Sequence, residues 1–292
     1  MEKSSTSPAV SIGVPVYNGA RTIEAALDSL LAQSFSDFEI IISDNASNDA
    51  TAEICADYAA RDARIRYIRQ PENIGGERNF KYVLDQATAP YFVWAAADDV
   101  RSADFLEVNV ALLDANPDYV ASTSPNVLEG EAGRYDFALE GGTEQRFAAF
   151  FKHCWKSHGL FYSVVRTADL RHCQTMEESF LAWDWAIVLL MASRGNLGRS
   201  KQGLITFGTS GESAGSTTYA KLRHSPVEMV LPFARLWHHT ATLSQRFSFR
   251  GKVQLAATMV GLNARANFER AYALAYGLYR KSLRPLFRRS KA

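Results

Sequence analysis

The first 125 residues switch repeatedly between two spacings of apolar residues. Val10 to Pro15 is a short apolar run closed by a proline, and Ile23, Ala26, Leu27, Leu30 and Leu31 then recur at helical intervals. Phe38 to Ile42 predicts a second strand and Ala50 to Ala60 a second helix. Ile65 to Ile68 alternates apolar and basic residues, as a partly exposed strand does, and Phe80, Val83, Leu84 and Ala87 mark another helix. The run Tyr91 to Ala97 predicts a buried strand ending at Asp98. Ser102 is placed as the N-cap of a helix carrying Phe105, Val108 and Leu112, and Tyr119 to Ser122 as a further strand. Strands alternating with helices predict βαβ units, and so an α/β fold with a mostly parallel sheet flanked by helices.

After Pro125 the pattern loosens. Leu128 to Thr143 is rich in Gly and Glu and reads as a loop or excursion. Gly159 to Val165 is expected to be a strand and Trp183 to Ala192 a helix. Gly208 to Thr218 is small and polar apart from Glu212, which predicts a mobile loop. From Pro226 onward the spacing is helical. These shifts place a main domain at 1–220, with halves at about 8–125 and 126–220, and a helical, basic C-terminal extension at 221–292.

Charge and composition add a few constraints. Over 292 residues the net charge is +1, which argues for no nucleic-acid partner as a whole, yet eleven of the Lys and Arg fall between Arg246 and Ala292 with Glu269 as the sole acid there. Arg280, Lys281, Arg284, Arg288, Arg289 and Lys291 interleave with Leu278, Leu283, Leu286 and Phe287. Such a pattern suits an anionic membrane surface as well as it suits a solvated helix end. Cys55, Cys154 and Cys173 lie far apart without metal-ligand spacing, as expected of reduced thiols in a cytoplasmic protein. Residues 1–10 lack the apolar core of a leader peptide, and no apolar run is long enough to span a bilayer, so a soluble or peripheral protein is expected.

The chemistry concentrates where strands end. Asp98 and Asp99 close the most apolar run in the chain, and hard oxygen ligands at a sheet edge suit a Mg²⁺ or Mn²⁺ that also holds substrate phosphates. Pro15, Tyr17 and Asn18 follow the first strand, where Tyr17 offers either a stacking face for a ligand or an ordinary core ring. Asp44 ends the second strand in a segment that reads equally as a polar turn, with Asp49 capping the next helix. Asn73 to Gly76 open a helix whose first turn carries Arg78, an arrangement that favours a diphosphate but also fits a plain glycine turn. Asp184 opens an apolar helix between Trp183 and Trp185, as a base beside an acceptor or as a carboxylate stabilised by the helix dipole.

Taken in order, residues 10–51 (VSIGVPVYNGARTIEAALDSLLAQSFSDFEIIISDNASNDAT), NIGGERNF and YFVWAAADD resemble the family 2 glycosyltransferases of GT-A fold, closely over residues 8 to about 125 and loosely to about 216. The nearest subgroup builds bacterial O-antigen or exopolysaccharide. The resemblance implies a nucleotide-diphosphate sugar donor, UDP- or dTDP-linked, and an inverting transfer to a glycan or polyprenyl-diphosphate-linked acceptor. It assigns Pro15, Tyr17, Asn18, Asp44 and Arg78 to the nucleotide, with Asp44 meeting the base. It gives Asp98 to the Mn²⁺ or Mg²⁺ and the diphosphate, Asp99 to donor orientation, and Asp184 to the general base. Trp183 and Trp185 become stacking surfaces for sugar rings. Docking on the cytoplasmic face of the inner membrane through the basic C-terminal helix, and a homodimer, are further expectations.

Three departures stand out. Asn45 replaces a common second Asp, Ala96 occupies the place of an earlier acidic residue, and the 208–218 segment lacks the His that many relatives carry, leaving Glu212 as a weak substitute ligand. His153, His158 and His172 are expected to be structural or acceptor-side. The rival readings are a catalytically degenerate binding or scaffold module and, with less support, a sugar-phosphate nucleotidyltransferase.

Overall fold

The computed structural model describes residues 7–129, 134–156, 158–171, 179–209 and 225–278, which fall into two compact units. The larger unit runs through β1 (Val10–Val16), α1 (Ile23–Leu31), β2 (Phe38–Asp44), α2 (Thr51–Arg61), β3 (Ile65–Arg69), α3 (Gly76–Asp85), β4 (Tyr91–Trp94), β5 (Val100–Arg101) and α4 (Phe105–Ala115). It continues with β6 (Tyr119–Thr123), β7 (Asn126–Leu128), β8 (Arg134–Tyr135), α5 (Thr143–His153), α6 (His158–Phe161), β9 (Val164–Arg166), α7 (Thr167–Leu170), α8 (Trp183–Arg194), β10 (Asn196–Arg199) and β11 (Ile205–Phe207). The smaller unit holds α9 (Pro226–Val230), α10 (Ala234–Leu243) and α11 (Phe249–Leu278), as the helical spacing predicts.

A seven-stranded sheet in the order β10-β6-β9-β4-β1-β2-β3 forms the centre, and a smaller sheet in the order β5-β11-β7-β8 lies beside it. Neighbours in the large sheet pair in parallel except for β9, which runs antiparallel to both β4 and β6. The mostly parallel class therefore follows as the alternation predicts. From β1 the chain steps outward to β2 and β3, then returns to β4 on the other flank of β1. The order reverses there, and in open α/β sheets a crevice for ligands opens beyond the strand ends at such a point.

β1 is buried along its whole length, which is why it reads as unbroken apolar sequence. Gly13 in its middle allows α3 to lie close on the sheet, since a Cβ there would sit 2.6 Å from Val83 and 2.8 Å from Phe92. Ile12, Val14, Ile23, Leu27, Ile40, Ile42, Val93 and Phe105 meet in the core. Cys55 and Cys154 are buried thiols, and Cys173 lies outside the described residues.

Several local expectations are corrected. The strand before the acidic pair ends at Trp94; Ala95 N still donates to Gly13 O, and Asp99 N donates to Ala96 O, so Asp98 and Asp99 sit on a tight turn beyond the strand. Ser102 is not the residue that flanks α4, since Asp104 is. Ser102 instead donates through Oγ to Asp104 and exchanges hydrogen bonds with Leu204. The run Gly159 to Val165 splits into the end of α6 and the start of β9, because a short apolar run carries no periodicity that separates helix from strand. Part of the expected loop 128–143 pairs as β7 with β8. The loop 210–218, with Glu212, and the basic residues from 279 onward lie outside the described residues, as does His172.

Candidate active site

Register along the sheet brings the sequence-predicted residues to one edge. Val16 pairs with Asp44 and Asp44 with Arg69, so the ends of β1, β2 and β3 finish level, with Tyr17 stepping off β1 at 42% exposure. Asn18 adopts a left-handed backbone (φ 52°), its N–H donating to Ser47 Oγ and its Oδ1 accepting from Asn48 N. Tyr17 is thus held out at the edge by a turn locked to the loop after β2. Asp49 accepts from Thr51 N at 3.0 Å and from Ala20 N at 3.2 Å, so it both caps α2 from just outside and pins the β1 loop.

Two of the expected nucleotide residues are buried. Pro15 lies within β1 opposite Ser43. Asp44 is fully buried. Its Oδ1 accepts from Ser47 N (2.8 Å) and its Oδ2 from Tyr67 OH (2.9 Å), with Arg69 Nε 3.9 Å away. In this arrangement Asp44 holds the turn after β2. A neighbouring strand supplies the tyrosine that seals it, which no local reading of residues 43–49 reveals.

Asn45, noted only as a departure, has a definite task. Its Nδ2 donates to Asn73 Oδ1 and its Oδ1 accepts from Ile74 N, tying the β2 end to the segment that opens α3. Gly75 precedes that helix at φ +90°, a conformation that a side chain would strain, and Asn79 in its first turn is clamped to Ser43. Arg78 remains exposed on the same turn.

The acidic turn is organised from across the smaller sheet. β11 pairs with β5, Ile205 opposite Arg101, and so delivers Gly208, whose N–H donates to Asp99 Oδ1 at 3.2 Å. A Cβ on Gly208 would lie 2.4 Å from Asp98 O and 2.7 Å from its Cβ and Cγ, so the glycine allows the backbone to close directly on the Asp98 side chain. Asp99 is 3% exposed, and its Oδ2 has no hydrogen-bond partner among the described residues. Burial pushes its carboxyl up to about 7; Arg101 and the Gly208 N–H oppose this, and Asp98 adds to it. Arg101 is itself buried, donating through Nη2 to Trp94 O, and burial pulls its guanidinium down while Asp99 and Tyr162 hold it up.

These groups fit a divalent cation. An orphaned carboxylate oxygen beside a second carboxylate is the arrangement a dication satisfies. Among the described residues no cluster of three or more His, Cys, Asp or Glu forms a protein-only cage, so substrate phosphates would complete the ligand set.

The shifted Asp99 has a measurable consequence. Unfolded, it loses its proton near 3.8; folded, it keeps it to about 7, so between these values the native state binds more protons and stability falls as pH rises. In chelator, the wild type is expected to lose about 2–4 kcal/mol across that window relative to Asp99→Asn. Urea unfolding of both proteins at pH 5 and 7.5 measures it, and parallel pH dependences would sink the assignment.

Asp184 comes to the same neighbourhood from 86 positions further along the chain than Asp98. α6 packs on α8, with the Phe161 and Trp183 rings edge-on at 5.2 Å. The Tyr162 hydroxyl lies within reach of the charges of Asp99, Asp98 and Asp184. Burial first, and these carboxylates next, raise it well above its ordinary range, so it stays a neutral donor among acids. Burial raises the Asp184 carboxyl; His158 and the backbone N–H groups at the start of α8 oppose the rise. Asp184 therefore meets the helix dipole and also a histidine, whose ring lies 6.3 Å from Phe207, the residue just before Gly208.

Tyr162, His158, Arg101 and Gly208 are the site residues that sequence reasoning missed or left unassigned. Trp183 is half-buried against Phe80 and Phe161, closing an aromatic cluster in which Trp94 stacks on Phe161 at 4.7 Å. Trp185 is buried edge-on to Phe150 and Trp155.

The chain is 33% identical over 115 residues to EpsE of Bacillus subtilis, covering 39% of this chain and 41% of that protein. It is 33% identical over 163 residues to the glycosyltransferase GlyA of Streptococcus pneumoniae, covering 56% of this chain and 22% of that one. The matches thus span less than half the length of these relatives. Among solved structures, Staphylococcus aureus TarS 1–349 superposes with a TM-score of 0.57 at 15% identity, covering 86% of this chain and 80% of that one. The mannosyltransferase PcManGT of Pyrobaculum calidifontis, solved with GDP-Man and Mn²⁺, gives 0.53 at 18%, covering 96% and 82%. Both share the GT-A architecture seen here. The model for glycosyl transferase family 2 matches residues 11–166, more than half of the chain, and the chain belongs to that family.

Proposed function

We propose that the chain is an inverting, metal-dependent glycosyltransferase that moves a sugar from a UDP- or dTDP-sugar to a glycan or polyprenyl-diphosphate-linked glycan in bacterial surface polysaccharide synthesis. The observation that carries this is that the charges of Asp98, Asp99 and Asp184 all reach Tyr162, which supports reading the first two as a cation-binding pair and the third as the base. TarS has been solved with UDP-GlcNAc and with UDP, and PcManGT with GDP-Man, which supports a nucleotide-sugar donor.

In this reading Tyr17 and Asn18 face the nucleoside, with Asp44 and Asn45 shaping the turn behind them, and Arg78 adds charge near the diphosphate. Asp98 and Asp99 would hold a Mn²⁺ or Mg²⁺, which when bound neutralises charge gathering on the leaving nucleoside diphosphate. Asp184 takes the acceptor hydroxyl proton as the new bond to C1 forms and the bond to the diphosphate oxygen breaks, inverting C1 in a single displacement. Tyr162, kept protonated, retains an O–H to donate toward the carboxylates. Trp183 narrows the acceptor side. The main domain is 1–220 and the extension 221–292, the latter docking peripherally on the cytoplasmic face of the inner membrane, with a homodimer compatible with the same extension. Among the described residues no helix is long and apolar enough to cross a membrane.

Thermal unfolding with UDP, dTDP, GDP and CMP, each with and without Mn²⁺, tests the reading. A rise on the order of 5 °C with UDP or dTDP at saturating concentration, present only with metal, is expected. No metal-dependent shift with any of the four would remove the transferase reading in favour of a degenerate binding module.

A further inference from the structure

Large exposed apolar side chains are distributed unevenly over the described residues. In the larger unit they are Tyr17, at the candidate site, and Val100. In the smaller unit they are Val227, Met229, Val230, Leu231, Phe249, Val253, Val260 and Phe268. Scattered single exposures need no explanation, but a concentration of this kind marks a surface that meets something.

α11 shows how the concentration is built. At 100° per residue, its buried side chains Leu255, Met259, Leu262 and Asn263 share one face. That face is fixed within the unit, where Asn263 Oδ1 accepts from Phe233 N. A second apolar stripe runs down the opposite side through Phe249, Val253, Ala257, Val260, Ala264, Phe268 and Ala271, all exposed. Phe249 and Phe268 are 84% and 72% exposed, although either ring would be among the largest apolar groups of any core. Asn267 Nδ2 donates to Val230 O, which brings exposed Val227 and Val230 of α9 alongside this stripe. A helix with one such face belongs in a globular unit; a helix with two has a second surface to cover.

The charge around the stripe identifies what covers it. Arg246, Arg250, Lys252 and Arg270 punctuate the segment and are exposed, while Arg265 pairs with its sole acid, Glu269. A second copy of the chain would bring two like-charged cationic borders together. An anionic lipid surface does the reverse, taking the apolar stripe into its headgroup–acyl boundary and the cations against its phosphates. We infer that α11 lies in the plane of an anionic bilayer, immersing the Phe249–Val253–Val260–Phe268 stripe, with Val227 and Val230 of α9 beside it. This places a membrane-binding surface upstream of the basic residues at 280–291, and it holds whether or not the larger unit transfers sugar.

Flotation of the full chain with vesicles tests it, using phosphatidylcholine alone and an equimolar mixture with phosphatidylglycerol. The wild type is expected to float with the anionic vesicles and stay down with the neutral ones. Phe249→Ser combined with Phe268→Ser, which leaves residues 280–291 intact and removes no buried contact, is expected to lower partitioning about tenfold or more at unchanged melting temperature. Equal flotation of the double variant would overturn the assignment and leave the binding to the basic terminus. Failure of the wild type to float, with light scattering showing a dimer that the double variant loses, would assign the stripe to a second copy. Nucleotide-dependent stabilisation of the same double variant reports separately on the transferase site.

Discussion

Asp184→Asn is expected to lower kcat about 10³-fold while leaving metal-dependent stabilisation by the nucleotide in place. Asn keeps the volume and the hydrogen bond from the α8 backbone but cannot take a proton, and a positioned general base contributes roughly 10²–10⁴. Folded stability should hold or rise by about 1 kcal/mol, because burial already disfavours the charged carboxylate there. His158 supplies the second half of the test. Its ring opposes the effect of burial on Asp184, so His158→Gln is expected to raise the Asp184 carboxyl further. The base works only when ionised, so the acid limb of the kcat profile should move to higher pH, with activity most reduced on the acid side of the profile and recovered as pH rises. A pH-independent loss in His158→Gln would mean that the ring acts only by packing on Phe207.

Asp98→Asn should have the second large effect, of a different kind. The carboxylate is held against Gly208 on the turn beyond β4, and losing it removes half of the acidic pair while Asp99 keeps its bond from the Gly208 N–H. Stabilisation by UDP or dTDP with Mn²⁺ is expected to vanish, and kcat/KM to fall about 10³-fold or more, as several kcal/mol of transition-state charge stabilisation is lost. Isothermal titration with Mn²⁺ and nucleotide, beside turnover, separates the alternatives. A module that merely binds would lose no turnover because it has none, and wild-type levels of metal-dependent binding in Asp98→Asn would remove this residue from the site.

Some of the site was open to local reading because each residue interrupts or opens an apolar run. Asp98 and Asp99 stop one and Asp184 begins another, and burial makes such positions conspicuous. His158 and Tyr162 were not, because one precedes and the other lies within a run too short to distinguish helix from strand, and the two assignments send Tyr162 to different faces. Arg101 and Gly208 act across a gap in sequence, through pairing of β5 with β11 that no periodicity encodes. Trp185 illustrates the converse. Its place beside Asp184 suggested a shared surface, but adjacent residues on a helix point about 100° apart, and that turn carries Trp185 into the core against Phe150 and Trp155.

By itself, then, the order of residues determined the alternation of strands and helices, the parallel class of the sheet, and the end of each strand at which carboxylates gather. Those are consequences of local backbone period and of the βαβ connection, both written in neighbouring residues. Tertiary structure decided which of the gathered groups are sealed by neighbours and how they ionise. Asp44 was sealed by Tyr67 from the next strand, Asp99 was raised by burial beneath β11, and Asp184 was set near His158 by packing of α6 on α8. Exposure and proton affinity depend on the dielectric and charges within a few ångströms, and strand order, rather than sequence distance, determines who those neighbours are.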